Sequence, residues 1–279
     1  MTNSTQVVVI GGGQAGLAAG YHLRRKKLDF VILDAQPMPG GAWRHTWDSL
    51  HLFSPAAFSS LPGRPMPAQP GEEYPDAAHV VDYLTEYEQR YDLPVQRPVR
   101  VRAVRRPDAG PLRVETDAGA WTAGAVVSAT GTWWRPFLPA VPGREVFAGR
   151  QLHTTGYRRP ADFTGQRVVV VGGGNSGAQI AADLAASDDV DLIWVTQRPP
   201  RYLADDIDGR ALFDAATARR RALDDGTADT GGVAALGDIV AVPPVRAARD
   251  TGLLKAQPMF ERLTRDGVLW ADGTSTRAD

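Results

Sequence analysis

Cysteine is absent from the 279 residues. That absence removes disulfide bonds, thiolate metal sites and dithiol redox chemistry together, and no metal is expected. Excess charge is lacking too: 31 basic against 32 acidic residues leave a formal net charge of −1. Such a balance supplies no positive field to hold nucleic acid, so small molecules are the expected partners. There is also no sustained apolar run. The opening MTNSTQ is polar and uncharged, and the apolar residues after it dissolve into glycines. Neither a signal peptide nor a membrane span is therefore expected, and the expected location is the cytoplasm. The length suits two domains with ample apolar residues for their cores.

What is present in quantity is glycine, in two telling places. Val7 to Gly20 reads VVVIGGGQAGLAAG, a β-branched run that breaks into glycines and re-emerges as an alanine-rich helix expected over 15–28. In a dinucleotide cradle Gly11 permits the tight strand-to-helix turn, Gly13 lets the backbone approach a pyrophosphate, and Gly16 lets the helix pack closely on the sheet. The phosphates would then face the positive end of the helix. A second strand, FVILD, ends in Asp34, about 20 residues past the glycines, where a carboxylate hydrogen-bonds a ribose. The alternative is a glycine-rich turn in an ordinary α/β domain.

The whole pattern then recurs. Arg167 to Val171 forms a second β-branched run, followed by GGGNSG at 172–177 and an alanine-rich helix to about Ala186. Two cradles are more specific than one, because each independently combines strand, glycines and helix. The strand after the second cradle, DLIWVTQR, ends without a carboxylate. A ribose 2′-phosphate would be repelled by an acid and welcomed by Arg198, with Arg201 nearby, which suits NADPH over NADH. Alternatively both arginines are simply solvated surface groups.

Between and beyond the cradles the pattern is more varied. Gln36 to Pro70 has no sustained period and reads as a long ordered loop with a short helix, a length that usually serves function. Asp76 caps an expected helix to about Tyr91, with Val80, Val81, Leu84, Tyr87 and Tyr91 on one face as core. Short strands are expected at 99–105 and 112–116, another at Trp121, and a separate buried strand in AVVSATG ending at Gly131. Thr132 to Gly143, with three prolines, reads as a connection. A helix is expected from Asp206 to Leu223 with Arg219 to Arg221 solvated, then a polar loop from Asp224 to Gly232. GDIVAVPPVRAARDTG has no clear pattern, and GVLWA lies between two Asp-Gly turns as a hairpin strand.

These residues carry a resemblance. The ordered set GGGQAG, GGAW, DSLHLFSP with LPGRPMP, ATG followed by Pro136 and Pro139, FAGRQLHTTGYR and GGGNSG resembles the class B flavin monooxygenases. That group includes the flavin-containing monooxygenases and the plant indole-pyruvate monooxygenases. The most discriminating piece is Phe147, Gly149, His153, Tyr157 and Arg158, matching FxGxxxHxxxY and a basic residue. Within the group the chain is similar to flavoproteins of bacterial arsenic-resistance operons. The implied fold is α/β, with two Rossmann-like dinucleotide-binding domains in the manner of glutathione reductase. An FAD domain over 1–153 is interrupted by an NADPH domain over 154–258, and 259–279 begin the return. Relatives continue into a further strand with a second ATG-like motif, so the sequence is expected to be a fragment.

By the same resemblance, FAD would meet Gly11, Gly13, Gln14, Ala15, Gly16, Asp34, Ala35, Gly41, Trp43, Arg44, His51, Ala129, Thr130 and Gly131. NADPH would meet Gly172, Gly174, Asn175, Ser176, Gly177, Arg198 and Arg201, and His153 on the connecting segment would be a hinge or cofactor-facing residue. Trp43 could equally be a buried core residue, and His153 a linker histidine satisfying a backbone carbonyl. The implied reaction passes hydride from NADPH to FAD, forms a C4a-hydroperoxyflavin with O2, and transfers one oxygen to nitrogen, sulfur or arsenic of a small molecule. The cofactor does that chemistry, and no catalytic side chain is assigned. A homodimer is compatible with this reading. A flavin reductase and a non-catalytic nucleotide-binding fragment are the competing functions. Tyr157 and Arg158 depart from the Trp and Pro or Asp that end the Baeyer-Villiger fingerprint, which disfavours ketone oxygenation.

Overall fold

The computed structural model describes residues 2–205, 207, 209–227 and 238–279. It divides into two units, Met1–Thr46 with Ser59–Arg135, and Trp47–Phe58 with Pro136–Asp279.

The first unit is built on six strands: β1 (Thr2–Ile10), β2 (Phe30–Leu33), β3 (Val95–Gln96), β4 (Val101–Arg105), β5 (Leu112–Thr116) and β6 (Gly119–Ser128). Their spatial order is β3-β2-β1-β6-β5-β4. β1 runs parallel to both β2 and β6, whereas β6 pairs antiparallel with β5. Trp121 and the AVVS run therefore belong to one ten-residue strand, not two. Nearly its whole length runs parallel to β1, and its first half also closes a hairpin with β5 on the other edge. Nor is the second half fully buried: Ala125 and Ser128 are exposed, since such short side chains offer little apolar surface to bury.

Two helices complete this unit. α1 (Gln14–Arg25) ends a turn earlier than the alanine pattern suggests, in a basic last turn that suits a helix C-terminus. It buries Gly16, Leu17 and Gly20. α2 (Ala77–Arg90) starts where expected, with the Asp76 side chain accepting from the His79 N–H at 2.8 Å. Val80, Tyr83, Leu84 and Tyr87 are buried, while Val81 and Tyr91 are half-buried. The tyrosines do more than fill space. Tyr83 donates to the Arg64 carbonyl and Tyr87 to that of Pro62, both at 2.7 Å, so the proline-rich loop is tied to the helix by their polar tips.

In the second unit β7 (Arg167–Val171), β8 (Asp191–Thr196) and β9 (Ala256–Pro258) form a parallel sheet. α3 (Asn175–Ala185) follows β7, and α4 spans Gly209–Asp224. The expected start of α4 at Asp206, and residues 228–232 of the expected loop after it, lie outside the described residues. Arg219 to Arg221 are exposed as expected. The stretch without a clear pattern resolves into a buried run, Ile239 to Val242, and α5 (Pro243–Asp250), whose prolines occupy the first turn, where no N–H is needed. β10 (Arg262–Thr264), β11 (Gly267–Leu269) and β12 (Ser275–Arg277) make an antiparallel meander, one strand more than a hairpin. Among the described residues no helix is long and apolar enough to cross a membrane.

Candidate dinucleotide sites

At the first site β1 hands over to α1 through Gly11 to Gly13. Gly11 has φ +106°, and a Cβ there would lie 2.4 Å from the Ala129 carbonyl oxygen at the end of β6. Its N–H bonds the Leu33 carbonyl at 2.8 Å, and the Ala129 N–H bonds that of Ile10 at 2.9 Å, which draws β1, β2 and β6 into one rim. A Cβ on Gly16 would meet the Gly11 carbonyl oxygen at 1.8 Å, so only glycine lets the helix sit this close. Gly13 caps α1 with no side-chain hydrogen bond, and no acidic residue occupies the first turn. The free N–H groups and positive helix end are thus available to an anion.

Around this rim lie the other candidates of the first unit. Trp43 is half-buried and donates from its indole to Gln14 Oε1 at 3.0 Å, which fixes the Gly41–His45 turn against the helix start. Arg44 is exposed and bonds the Pro39 carbonyl. Ala35 is half-buried, Ala15 and Thr130 are exposed, and Gly131 has φ +62°. His51 belongs to the second unit, where its carbonyl accepts from Gln179 at 3.4 Å and its Nδ1 lies 3.0 Å from the Ser49 carbonyl.

Asp34 is 5% exposed and is not alone. Arg97 donates from Nε to Asp34 Oδ2 at 2.8 Å and from its two terminal nitrogens to Glu88 at 2.6 and 2.7 Å. Asp34 Oδ1 also accepts from the Gln36 N–H at 3.2 Å. Burial disfavours the Arg97 cation, but its bonds to Glu88 and Asp34 outweigh that and hold it above its ordinary range. A Cβ on Gly12 would lie 2.6 Å from Asp34 Oδ2 and 2.8 Å from Arg97 Nη2, so this charge cluster presses directly on the glycine turn. Sequence reasoning finds Asp34 and misses Arg97 and Glu88, which share no spacing rule with the glycines.

The second site repeats the first's hydrogen bond from turn to neighbouring strand and its glycine-on-carbonyl approach, although a Cβ on Gly172, unlike one on Gly11, would meet nothing within 4 Å. The Gly172 N–H bonds the Val195 carbonyl at 2.9 Å, and a Cβ on Gly177 would meet the Gly172 carbonyl oxygen at 2.4 Å. Gly174 caps α3 without a side-chain bond, and a Cβ on it would meet nothing within 4 Å. The position equivalent to Asp34 is Thr196, 3% exposed, whose methyl would lie 3.4 Å from a Cβ on Gly173. The Asn175 side-chain oxygen accepts the Val240 N–H at 2.8 Å, and Ser176 is exposed.

A cavity of about 990 Å³ opens beside this turn, lined by β7, Gly172, Arg198, Arg201, Asp238 and His153 among others. Arg201 makes paired 2.9 Å bonds to the two Asp238 oxygens. Those bonds and the Arg201 charge hold the Asp238 carboxyl below the ordinary carboxylate range. His153 caps a short turn, its Nδ1 accepting from the Thr155 N–H at 3.3 Å. Tyr157 is buried with Trp47, Phe163, Ile180 and Leu184, and donates to Asp183 Oδ2 at 2.6 Å. Burial, and then Asp183, push the Tyr157 hydroxyl far above its ordinary value.

Residues 8–204 match the model of the pyridine nucleotide-disulphide oxidoreductase family. A flavin-containing monooxygenase from Stenotrophomonas maltophilia has the same fold, with a TM-score of 0.88 and 50% identity, over 100% of this chain and 77% of that one. An uncharacterized CzcO-like oxidoreductase of Geobacillus kaustophilus is 36% identical over 215 residues, 76% of this chain and 60% of that protein. A Baeyer-Villiger monooxygenase of Streptomyces coelicolor is 34% identical over 229 residues, 78% of this chain and 42% of that protein. The chain thus spans about half the length of the curated relatives it matches. It belongs to the pyridine nucleotide-disulphide oxidoreductase family and, within it, to the flavin-containing monooxygenases.

Proposed function

We propose that this chain carries the two cofactor sites of an NADPH- and O2-dependent flavoprotein monooxygenase, with FAD in the first cradle and NADPH in the second. The supporting observation is the change of charge at one equivalent position: buried Asp34 at the first rim, and Thr196 with Arg198 two residues on at the second. A carboxylate accepts from a ribose hydroxyl and repels a phosphate, whereas a threonine beside an arginine does the reverse. Both turns fit a pyrophosphate, since each presents an uncapped helix start behind a glycine that no side chain could replace.

In this reading the domain limits are 1–153 for FAD and 154–258 for NADPH, with 259–279 leading back. Bound FAD supplies hydride acceptance and oxygen activation. The protein's own residues bind and orient. α1 and α3 each turn a positive end to a pyrophosphate, Asp34 takes the adenosine ribose, and Arg198 with Arg201 takes the 2′-phosphate. Trp43, held by Gln14, and Arg44 fix the loop over the first cradle. Tyr157, buried and bonded to Asp183, anchors the segment that carries His153 to α3. The substrate is a small soft nucleophile offering nitrogen, sulfur or arsenic, and the enzyme works in the cytoplasm.

The test is stoichiometric. With 18O2 and a panel of amines, thioethers and organoarsenicals, the full-length protein should place label in product at close to one atom per NADPH consumed. If all NADPH consumption emerges as hydrogen peroxide with every compound, the protein is a reductase instead.

A further inference from the structure

Resting on the reading that FAD occupies the first cradle, we propose that Arg97, gripped by Glu88, is the positioning residue that aims the Asp34 carboxylate at the adenosine ribose. The inference comes from how the guanidinium is divided. Both Glu88 oxygens engage its terminal nitrogens, leaving the Nε edge for Asp34 alone. A planar fork held at one edge by a bidentate carboxylate presents its other donor in a fixed direction. Asp34 Oδ2 is thereby set against the glycine turn, and Oδ1 receives only the Gln36 N–H. Each carboxylate oxygen has a second lone pair, so the group keeps acceptor capacity for a ribose hydroxyl while its rotamer is locked.

The arrangement costs too much to be incidental packing. Arg97 and Asp34 side chains are 10% and 7% exposed and Glu88 is 16% exposed, and the three leave one uncompensated negative charge under cover. Burying charges is unfavourable unless something needs them there. Glu88 comes from α2 and Arg97 from the residue after β3, so two elements with no part in the glycine motif converge on its acid. At the second rim the equivalent residue is neutral Thr196.

The experiment compares ligands that differ only at the adenosine end. Apoprotein of the full chain is titrated with FAD, with FAD carrying 2′-deoxyadenosine, and with FMN, following flavin fluorescence, for wild type, Glu88→Gln and Arg97→Lys. Wild type should lose about tenfold in affinity on removal of the 2′-hydroxyl. In Glu88→Gln and Arg97→Lys that penalty should shrink to about twofold, with FMN binding unchanged. A change that merely loosened the fold would weaken all three ligands together. An undiminished 2′-hydroxyl penalty in both variants, or equal losses for FMN and FAD, would overturn the positioning role while leaving FAD in its cradle. Wild-type protein that binds FAD no better than FMN would instead overturn the assignment of the cradle itself, and the positioning role with it.

Discussion

Gly11 to Gly16 and Gly172 to Gly177 build similar turns whose rims carry side chains of different charge. In each the first glycine's N–H bonds the neighbouring strand, at 2.8 and 2.9 Å, and the last glycine packs on the first's carbonyl oxygen. What differs is the rim residue: an Asp34 carboxylate locked by Arg97 and Glu88, against a Thr196 hydroxyl with Arg198 and the Arg201–Asp238 pair nearby. Backbone sterics thus build a similar turn twice, and the proposed sorting of the two dinucleotides rests on the charge of the rim residue and its neighbours. The supporting sheets differ as well. β1 is paired on both edges, by β2 and β6, whereas among the described residues only β8 pairs with β7.

The largest blow to this contrast is removal of the charge that exists at one rim only. Arg97→Met leaves Asp34 and Glu88 buried without their cation and should destabilise the protein by roughly 3–5 kcal/mol, measured by urea unfolding. Arg198→Met at the other rim, an exposed position, should cost under about 0.5 kcal/mol. Next comes the shared geometry. Gly16→Ala places a methyl 1.8 Å from a backbone oxygen and should cost about 3 kcal/mol or more, and Gly177→Ala, at 2.4 Å, somewhat less. Equal and negligible costs would mean that the helices do not depend on this approach.

A subtler variant moves the contrast without breaking the fold. Thr196→Asp should shift the ratio of NADPH to NADH KM values toward NADH by at least about tenfold, because like charges placed together cost several kcal/mol. The smallest effect is a pH dependence. Since Arg201 holds the folded-state Asp238 carboxyl below its unfolded value, the pair's contribution is present above the ordinary carboxylate range and is lost as pH falls through the depressed value. Asp238→Asn should therefore flatten the acid side of a plot of folding stability against pH, measured by urea unfolding. Because both side chains are about half exposed, that flattening should fade in high salt.

How far the sequence discloses these sites follows from where the determinants lie in the chain. The glycine turns are legible because strand, turn and helix are contiguous and the approach of Gly16 to Gly11 and of Gly177 to Gly172 acts within six residues. Asp76 as a helix cap is legible for the same reason. Arg97 reaches Asp34 across 63 positions and Arg201 reaches Asp238 across 37, so only the folded chain reveals either pair. β6 is misjudged in two pieces because Gly124 interrupts the alternation of its side chains and only its first half carries β5 on the second edge, while Ala120 to Ser128 run parallel to β1 throughout. Tyr157 is visible as a motif residue, but its bond to Asp183 on α3 is not.

The most direct test of the central claim measures NADP⁺ and NAD⁺ binding to the flavin-loaded protein by calorimetry, in wild type and Thr196→Asp. The charge at the second rim predicts that NADP⁺ binds wild type at least about tenfold more tightly, and that the variant loses or inverts this preference. Equal affinities in wild type, or a preference untouched by the substitution, would contradict the claim that this one position sorts the two dinucleotides.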